Sequence, residues 1–365
     1  MNTNLKDQYF MKIALRLAKR ATGWTNPHPL VGAVVIKKGK IIALGYHRRF
    51  GADHAEMDAL KHVREDTKGA MMYVTMEPCH LPYDLCGPRK PCVEVLREAG
   101  ISTVHIAMLD SNPEVSGRGK ALLEKAGIST TIGCLADEAL RLNEPYHHFM
   151  TRGNPFVAVT FSVSLDGKIA TRTGDSKWIT NLQARNFARR LRSQYQAILV
   201  GINTILRDDP HLGIRVKGKK DPLRIVLDST LKIPLTSQVL RDNNVLIATT
   251  KNANKEKIKA LMDKGITVLT FDDQKIPLSN LLTEFKKLKI ISVLVEGGGS
   301  VLGSFLDVRL VDKVYAFQAP IIIGGKKAVS AIKGEGVATI NDALRLKNVT
   351  FRRFDDNLLT VGYVK

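Results

Sequence analysis

Cysteine is scarce in this chain, four among 365 residues, too few to staple a fold of that length, so a disulfide framework is excluded as its organising principle. No uninterrupted apolar run approaches the roughly 18 residues of a membrane span. Lys6, Asp7, Lys12 and Arg16 break up the first stretch, so neither a membrane anchor nor a secretory leader is expected, and a cytoplasmic location is. Acidic residues are also few, 35 against 55 basic ones, for a formal net charge of +20. That balance favours anionic ligands: nucleic acid, phosphorylated metabolites or a dinucleotide. Yet no block of five or six basic residues occurs, and the charges are spread through helix-like stretches such as 251–264, so most read as solvated faces. Internal repeats and low-complexity tracts are lacking. What remains, 44% hydrophobic and 25% charged, is a globular composition with room for two domains.

Hydrophobic periodicity divides the chain into alternating elements. Leu5, Tyr9, Phe10, Ile13, Leu17 and Ala18 have the spacing of an amphipathic helix over 5–21. Residues 31–36 and 41–46, joined by Lys37-Lys38-Gly39-Lys40, predict a hairpin. Helices are expected near 55–63, 92–99, 120–126 and 137–150, with strands at 71–75, 101–107 and 129–132, which makes a partly parallel α/β layer. The polar segment Thr151-Arg152-Gly153-Asn154-Pro155 predicts a domain boundary, giving domains 1–150 and 151–365. Beyond it, apolar runs at 156–163, 197–202, 223–227, 245–248, 266–271, 290–295 and 314–323 predict a second α/β domain with a larger sheet.

Where cysteines do occur, three of them, Cys79, Cys86 and Cys92, fall within 14 residues, behind His54-Ala55-Glu56 and the run Glu77-Pro78-Cys79. H-x-E followed by P-C is the signature of zinc deaminases, although the second cysteine there follows in a C-x-x-C spacing. One imidazole and two thiolates fill three positions of a tetrahedral zinc and leave the fourth for water. Glu56 suits proton transfer better than ligation. Cys92 would open a helix, where the dipole favours a thiolate; Cys86 is the alternative, with His47 and His80 the other nearby candidates. Cys134 reads as a small core residue. In the second half, the run ending in Glu296-Gly297-Gly298-Gly299-Ser300 reads as a phosphate or cofactor loop opening a helix, or as a simple tight turn. The dinucleotide fingerprint G-x-G-x-x-G is absent, since Leu302 holds its last glycine position.

Taken together, Pro29-Leu30-Val31-Gly32, Gly45-Tyr46-His47, His54-Ala55-Glu56, Glu77-Pro78-Cys79, Pro91-Cys92, Gly117-Arg118-Gly119, Ser164-Leu165-Asp166-Gly167, Ser176-Lys177-Trp178-Ile179-Thr180, Asp208-Asp209-Pro210 and Val295-Glu296-Gly297-Gly298 carry a resemblance. Over nearly its full length the chain resembles the bifunctional riboflavin-biosynthesis deaminase/reductases. The resemblance implies a cytidine-deaminase-like α/β/α layer followed by a dihydrofolate-reductase-like α/β domain. It implies Zn2+ on His54, Cys79 and Cys92 with Glu56 as the catalytic proton carrier, and NADPH in the second domain. By position it implies cofactor contacts at Ser162, Trp178, Thr204, Asp208, Ser229 and the loop Gly298, Gly299, Ser300, Val301, Leu302, Gly303 and Ser304. Substrate contacts are implied at Ser176, Arg192, Leu212, Arg215 and Glu296, the two arginines suiting a phosphate. The expected partners are a phosphorylated pyrimidine and further copies of the chain, without nucleic acid or membrane. Three positions depart from the family pattern: His28 stands in place of an asparagine, Thr160 in place of a lysine, and the run between Cys79 and Cys92 is longer. They motivate an alternative, a diverged paralogue with one active domain or a changed substrate; a nucleic-acid deaminase, suggested by the charge, is the more distant one.

Overall fold

The computed structural model describes residues 5–84, 87–216 and 218–364, and the chain divides into two compact units between Gly153 and Asn154. In the first, α1 (Leu5–Arg20) is followed by the hairpin β1 (Gly32–Lys37) and β2 (Lys40–Tyr46), then α2 (Ala55–Lys61), β3 (Met71–Val74), and a two-residue ladder of β4 (Tyr83–Asp84) with β5 (Gly87–Pro88). Next come α3 (Cys92–Glu98), β6 (Thr103–Ile106), α4 (Arg118–Lys125), β7 (Ser129–Ile132), α5 (Ala136–Leu142) and α6 (Glu144–Arg152). The sheet runs β2-β1-β3-β6-β7, with β3, β6 and β7 parallel. Successive side chains of β1 enter different cores: Ala33 and Val35 meet α2, α3 and α4, while Val34 and Ile36 meet α1 and α5. Strands buried on both faces read as continuous apolar runs, which is why this one was visible in the sequence. Two glycines let the flanking helices touch the sheet. A Cβ on Gly32 would lie 2.1 Å from the Ala14 carbonyl of α1, and one on Gly45 would lie 2.2 Å from the Ala59 nitrogen of α2.

The helix expected over 137–150 is two helices. Asn143 interrupts it because its side chain turns inward, accepting from Leu30 N at 2.7 Å and donating to Leu30 O at 3.0 Å, and Pro145 then starts α6. A proline tolerates the first turn of a helix but not its interior.

The second unit contains β8 (Phe156–Val163), β9 (Lys168–Ala170), α7 (Leu182–Leu191), β10 (Ala197–Gly201), α8 (Ile202–Asp208), β11 (Leu223–Leu227), β12 (Val245–Thr250), α9 (Lys255–Asp263) and β13 (Thr267–Phe271). It continues with α10 (Leu278–Lys287), β14 (Ser292–Val295), α11 (Gly299–Asp307), β15 (Lys313–Gln318), β16 (Val329–Ser330), β17 (Leu346–Phe354) and β18 (Asn357–Val364). Nine strands form one sheet in the order β13-β12-β11-β10-β14-β8-β15-β18-β17. It is parallel from β13 to β15 and antiparallel at β18 and β17. The run 314–323 is a strand only as far as Gln318. The β17–β18 hairpin has no counterpart among the runs read from the sequence, because β17 is an edge strand exposed along nearly all its length.

Candidate active sites

In the first unit, His54 stands at the N-cap of α2 with Glu56 in its first turn. Cys79 lies in the loop after β3, and Cys92 opens α3 with Pro91 as its N-cap. Their donor atoms form a triangle: His54 Nδ1 to Cys79 Sγ is 3.3 Å, Cys79 Sγ to Cys92 Sγ 3.4 Å and Cys92 Sγ to His54 Nδ1 3.4 Å. Zinc–sulfur and zinc–nitrogen bonds give a tetrahedron edges of roughly 3.5–3.8 Å, so the triangle fits zinc after a shift of a few tenths of an ångström. This is also the sole cluster of three such donors among the described residues; Cys86 lies outside them. The hydrogen bond between the thiols draws the negative charge to Cys79, whose pKa is held down to about 4, and pushes Cys92 well above the ordinary thiol range. Burial pushes the Glu56 carboxyl up to about 7 against the pull of His54. A carboxyl in that state exchanges protons readily near neutrality.

These groups open on a cleft of about 270 Å³ that is also lined by His28, His47, Arg89, Asp110, Asn112 and Tyr146. His47 Nδ1 lies 2.9 Å from the Asp53 carbonyl and its Nε2 lies 3.4 Å from His28 Nδ1. The two imidazoles stack with centroids 5.4 Å apart, and Phe50 meets His28 edge-on at 4.8 Å. On the far wall Tyr146 donates to Asp110 at 2.9 Å. Glu77, buried at 4% exposure, is not a ligand. Its carboxylate accepts from the backbone nitrogens of Asp110, Gly117 and Lys120 at 3.2, 2.8 and 2.9 Å. It thereby anchors the 110–117 loop and the first turn of α4 beside Cys79. Gly119 lets that turn approach, since a Cβ there would sit 2.1 Å from the Pro78 carbonyl.

In the second unit two clefts form where β8, β10 and β14 end, the place where ligands bind in open parallel sheets. One, of about 540 Å³, is lined by Ser176, Lys177, Asn203, Thr204, Arg207, Asp208 and Gly298 among others, with Lys177 and Asp208 paired at 2.8 Å. Gly298, the N-cap of α11, is part of this lining, so a polar wall and a helix N-terminus suit an anionic nucleotide. The second cleft, of about 340 Å³, is lined by Thr160, Ser162, Trp178, Arg185, Arg189, Arg192 and Glu296 among others. Arg192 and Glu296, both expected to meet substrate, meet each other: Nε to Oε1 is 3.0 Å and Nη2 to Oε2 2.7 Å, while Nη1 donates to the Gly213 carbonyl at 3.0 Å.

The remaining expected residues lie elsewhere. Ser229 follows β11, where its carbonyl accepts from Thr250 Oγ1 at 2.8 Å. Leu212 is in the core and Arg215 is exposed, outside the linings of both clefts. Within α11, Leu302 packs into the main core, Gly303 lies against the Lys333 carbonyl, Ser304 donates to the Ser300 carbonyl at 2.9 Å, and Val301 packs beside Gly201 and Gly297. Of the 298–304 loop, Gly298 alone is among the cleft-lining residues. Sequence reasoning missed Arg185 and Arg189. Their signal was present, since 185, 189 and 192 follow the i, i+4, i+7 spacing of one helical face. Asp166 of the Ser-Leu-Asp-Gly string is a structural clamp. It accepts from Ser164 Oγ at 2.6 Å, Ile323 N at 3.0 Å and Gly324 N at 2.8 Å, and these bonds hold its pKa down to about 2.

Comparison with known proteins accords with this geometry. Residues 4–108 match the cytidine and deoxycytidylate deaminase zinc-binding region, and residues 155–360 match the RibD C-terminal domain. Riboflavin biosynthesis protein RibD of Aquifex aeolicus (strain VF5) is 40% identical over 356 residues, covering 97% of each chain. The solved structure of Acinetobacter baumannii RibD (form 2) superposes with a TM-score of 0.88 at 32% identity, and that of a Thermotoga maritima diaminohydroxyphosphoribosylaminopyrimidine deaminase/5-amino-6-(5-phosphoribosylamino)uracil reductase with 0.85 at 34%; each comparison covers 99% of both chains. A deaminase zinc-binding region joined to a reductase domain, matched end to end at these identities, places the chain in the RibD family of bifunctional riboflavin-biosynthesis deaminase/reductases.

Proposed function

We propose that residues 1–150 deaminate 2,5-diamino-6-ribosylamino-4(3H)-pyrimidinone 5′-phosphate and that residues 151–365 then reduce its ribosyl group to ribityl with NADPH. The observation that carries this reading is the His54–Cys79–Cys92 triangle with the buried Glu56 beside it. His54, Cys79 and Cys92 would hold Zn2+, which as a Lewis acid makes water a competent nucleophile at neutral pH. A Glu56 carboxylate oxygen takes the proton from the attacking water and returns it to the exocyclic nitrogen as the C–N bond breaks and ammonia leaves. His47, oriented through the Asp53 carbonyl, and His28 line the path of the ring. In the second unit, Thr204, Asp208 and Gly298, which line the larger cleft, would receive NADPH; the family resemblance adds Ser162, Trp178, Ser229 and the rest of the 298–304 run. Ser176, Arg192 and Glu296, which line the clefts, are assigned to substrate; Leu212 and Arg215, outside both linings, are assigned to it by the family resemblance alone. The protein is placed in the cytoplasm as a homo-oligomer acting on this phosphorylated pyrimidine and not on nucleic acid.

The test is a coupled assay of zinc-loaded protein that follows ammonia release and NADPH oxidation in one sample. Both signals are expected from the wild type. Glu56→Gln should lower ammonia release by roughly 100-fold or more, the scale of losing a general acid–base, while NADPH oxidation on pre-deaminated substrate persists. Ammonia release without any NADPH oxidation would leave a single-activity paralogue, the reading that Thr160 in the reductase cleft favours.

A further inference from the structure

Helix α7 and the residue that follows it present three arginines to the smaller reductase cleft, and the surroundings of the three differ. Arg185 stacks over the Trp178 ring at 4.4 Å and donates to the Thr180 carbonyl. Arg192 is held by the carboxylate of Glu296 and by the Gly213 carbonyl. Arg189, half-buried between them in sequence, lines the same cleft and makes no side-chain hydrogen bond or ion pair among the described residues. Three guanidinium groups against one carboxylate leave this lining a net charge of +2. Thr160, on the strand across the cleft, adds no charge.

An uncommitted guanidinium held among like charges is unfavourable unless an anion completes it. A phosphate monoester carries about −2 at neutral pH and accepts two parallel bonds from one guanidinium. We propose that Arg189 is a phosphate-binding residue of the reductase cleft and fixes the position of a phosphate monoester there, beside an Arg192 that Glu296 holds in place. The inference rests on the reductase reading above. Two phosphate monoesters meet in that reaction, the 5′-phosphate of the substrate and the 2′-phosphate of NADPH.

The experiment compares wild type, Arg189→Gln and Arg189→Lys as full-length, zinc-loaded protein. Steady-state reduction is measured against the pyrimidine phosphate, NADPH and NADH, and ribose 5-phosphate binding is measured by calorimetry. For Arg189→Gln the inference expects ribose 5-phosphate affinity to fall and one KM to rise roughly 10- to 100-fold, the loss of one charge-assisted bidentate contact, with kcat changed much less. A rise in KM for the pyrimidine phosphate assigns the substrate's phosphate; a rise for NADPH but not NADH assigns the 2′-phosphate. Arg189→Lys should recover part of the loss, because it restores the charge without the fork. Equal ribose 5-phosphate binding and unchanged KM values in Arg189→Gln would overturn the inference, as would a fall in kcat alone. If the wild type oxidises no NADPH, the reductase reading has failed, and ribose 5-phosphate binding alone then decides the role of Arg189.

Discussion

Glu77 holds the wall of the deaminase cleft in place without joining the cluster of metal-ligand candidates. It stands two positions before Cys79, so a sequence reading absorbs it into the cysteine motif, but its three backbone donors lie 33 to 43 positions away. No local pattern could have announced them. Hydrogen bonds to a charged acceptor contribute about 1.5–3 kcal/mol each. In Glu77→Gln one oxygen becomes an NH2 group facing a backbone N–H, so at least one of the three bonds becomes a clash of donors. The expected result is a first unit destabilised by about 2–4 kcal/mol, with a lowered thermal transition and reduced ammonia release. Differential scanning calorimetry checks it, and an unshifted transition would show that the loop is held by other contacts. That His54, Cys79 and Cys92 come together, by contrast, was legible. Metal ligands must be of a few residue types, and H-x-E with P-C leaves few alternatives.

At the scale of elements, the interior strands were legible and the edges were not. Strands β10, β11 and β12 are buried on both faces, so their apolar runs stand out; β17 is exposed from Lys347 to Arg353, and its Lys, Asn, Thr and Arg residues interrupt its apolar ones without a regular period. Its hairpin nonetheless positions the reductase cleft. The side chain of Asn357, at 2% exposure, accepts from Asn181 N at 2.8 Å, while Asn181 caps α7 through Ala184 N at 2.9 Å and donates to the Phe354 carbonyl at 2.7 Å. The turn between β17 and β18 therefore sets where α7, which carries Arg185 and Arg189 and leads into Arg192, begins. Asn357→Ala would leave the half-buried Asn181 N–H without its acceptor, at about 1 kcal/mol. It should raise reductase KM values several-fold and leave ammonia release intact. Kinetics of both half-reactions on the variant decide the matter; equal losses in the two would point to general unfolding instead of a displaced helix.

Across the whole molecule, the +20 charge said less than its size suggested, because its informative part is a few arginines gathered in one cleft and not the sum. What organises the molecule is that each unit closes its own core. Clusters built on β1, β3 and β6 with α1 to α4 serve the first, and those on β8, β10, β11, β12 and β14 serve the second. Separate cores predict separate melting transitions, for which a single Tm would be undefined. The proposed zinc ligands lie at the N-cap of α2, at the start of α3 and between β3 and α3, all in the first unit, and a ligand that binds only the folded state stabilises only the unit that holds it. Removing the metal with a chelator should therefore lower one calorimetric transition and leave the other in place. Ammonia release should fall by roughly 100-fold or more, since the water loses its activation, while NADPH oxidation of pre-deaminated substrate stays within about twofold of its starting rate. Adding Zn2+ back should restore the lost transition and activity together. If chelation silenced both half-reactions, or shifted both transitions equally, the two units would be energetically coupled, and reading each site from its own unit would fail.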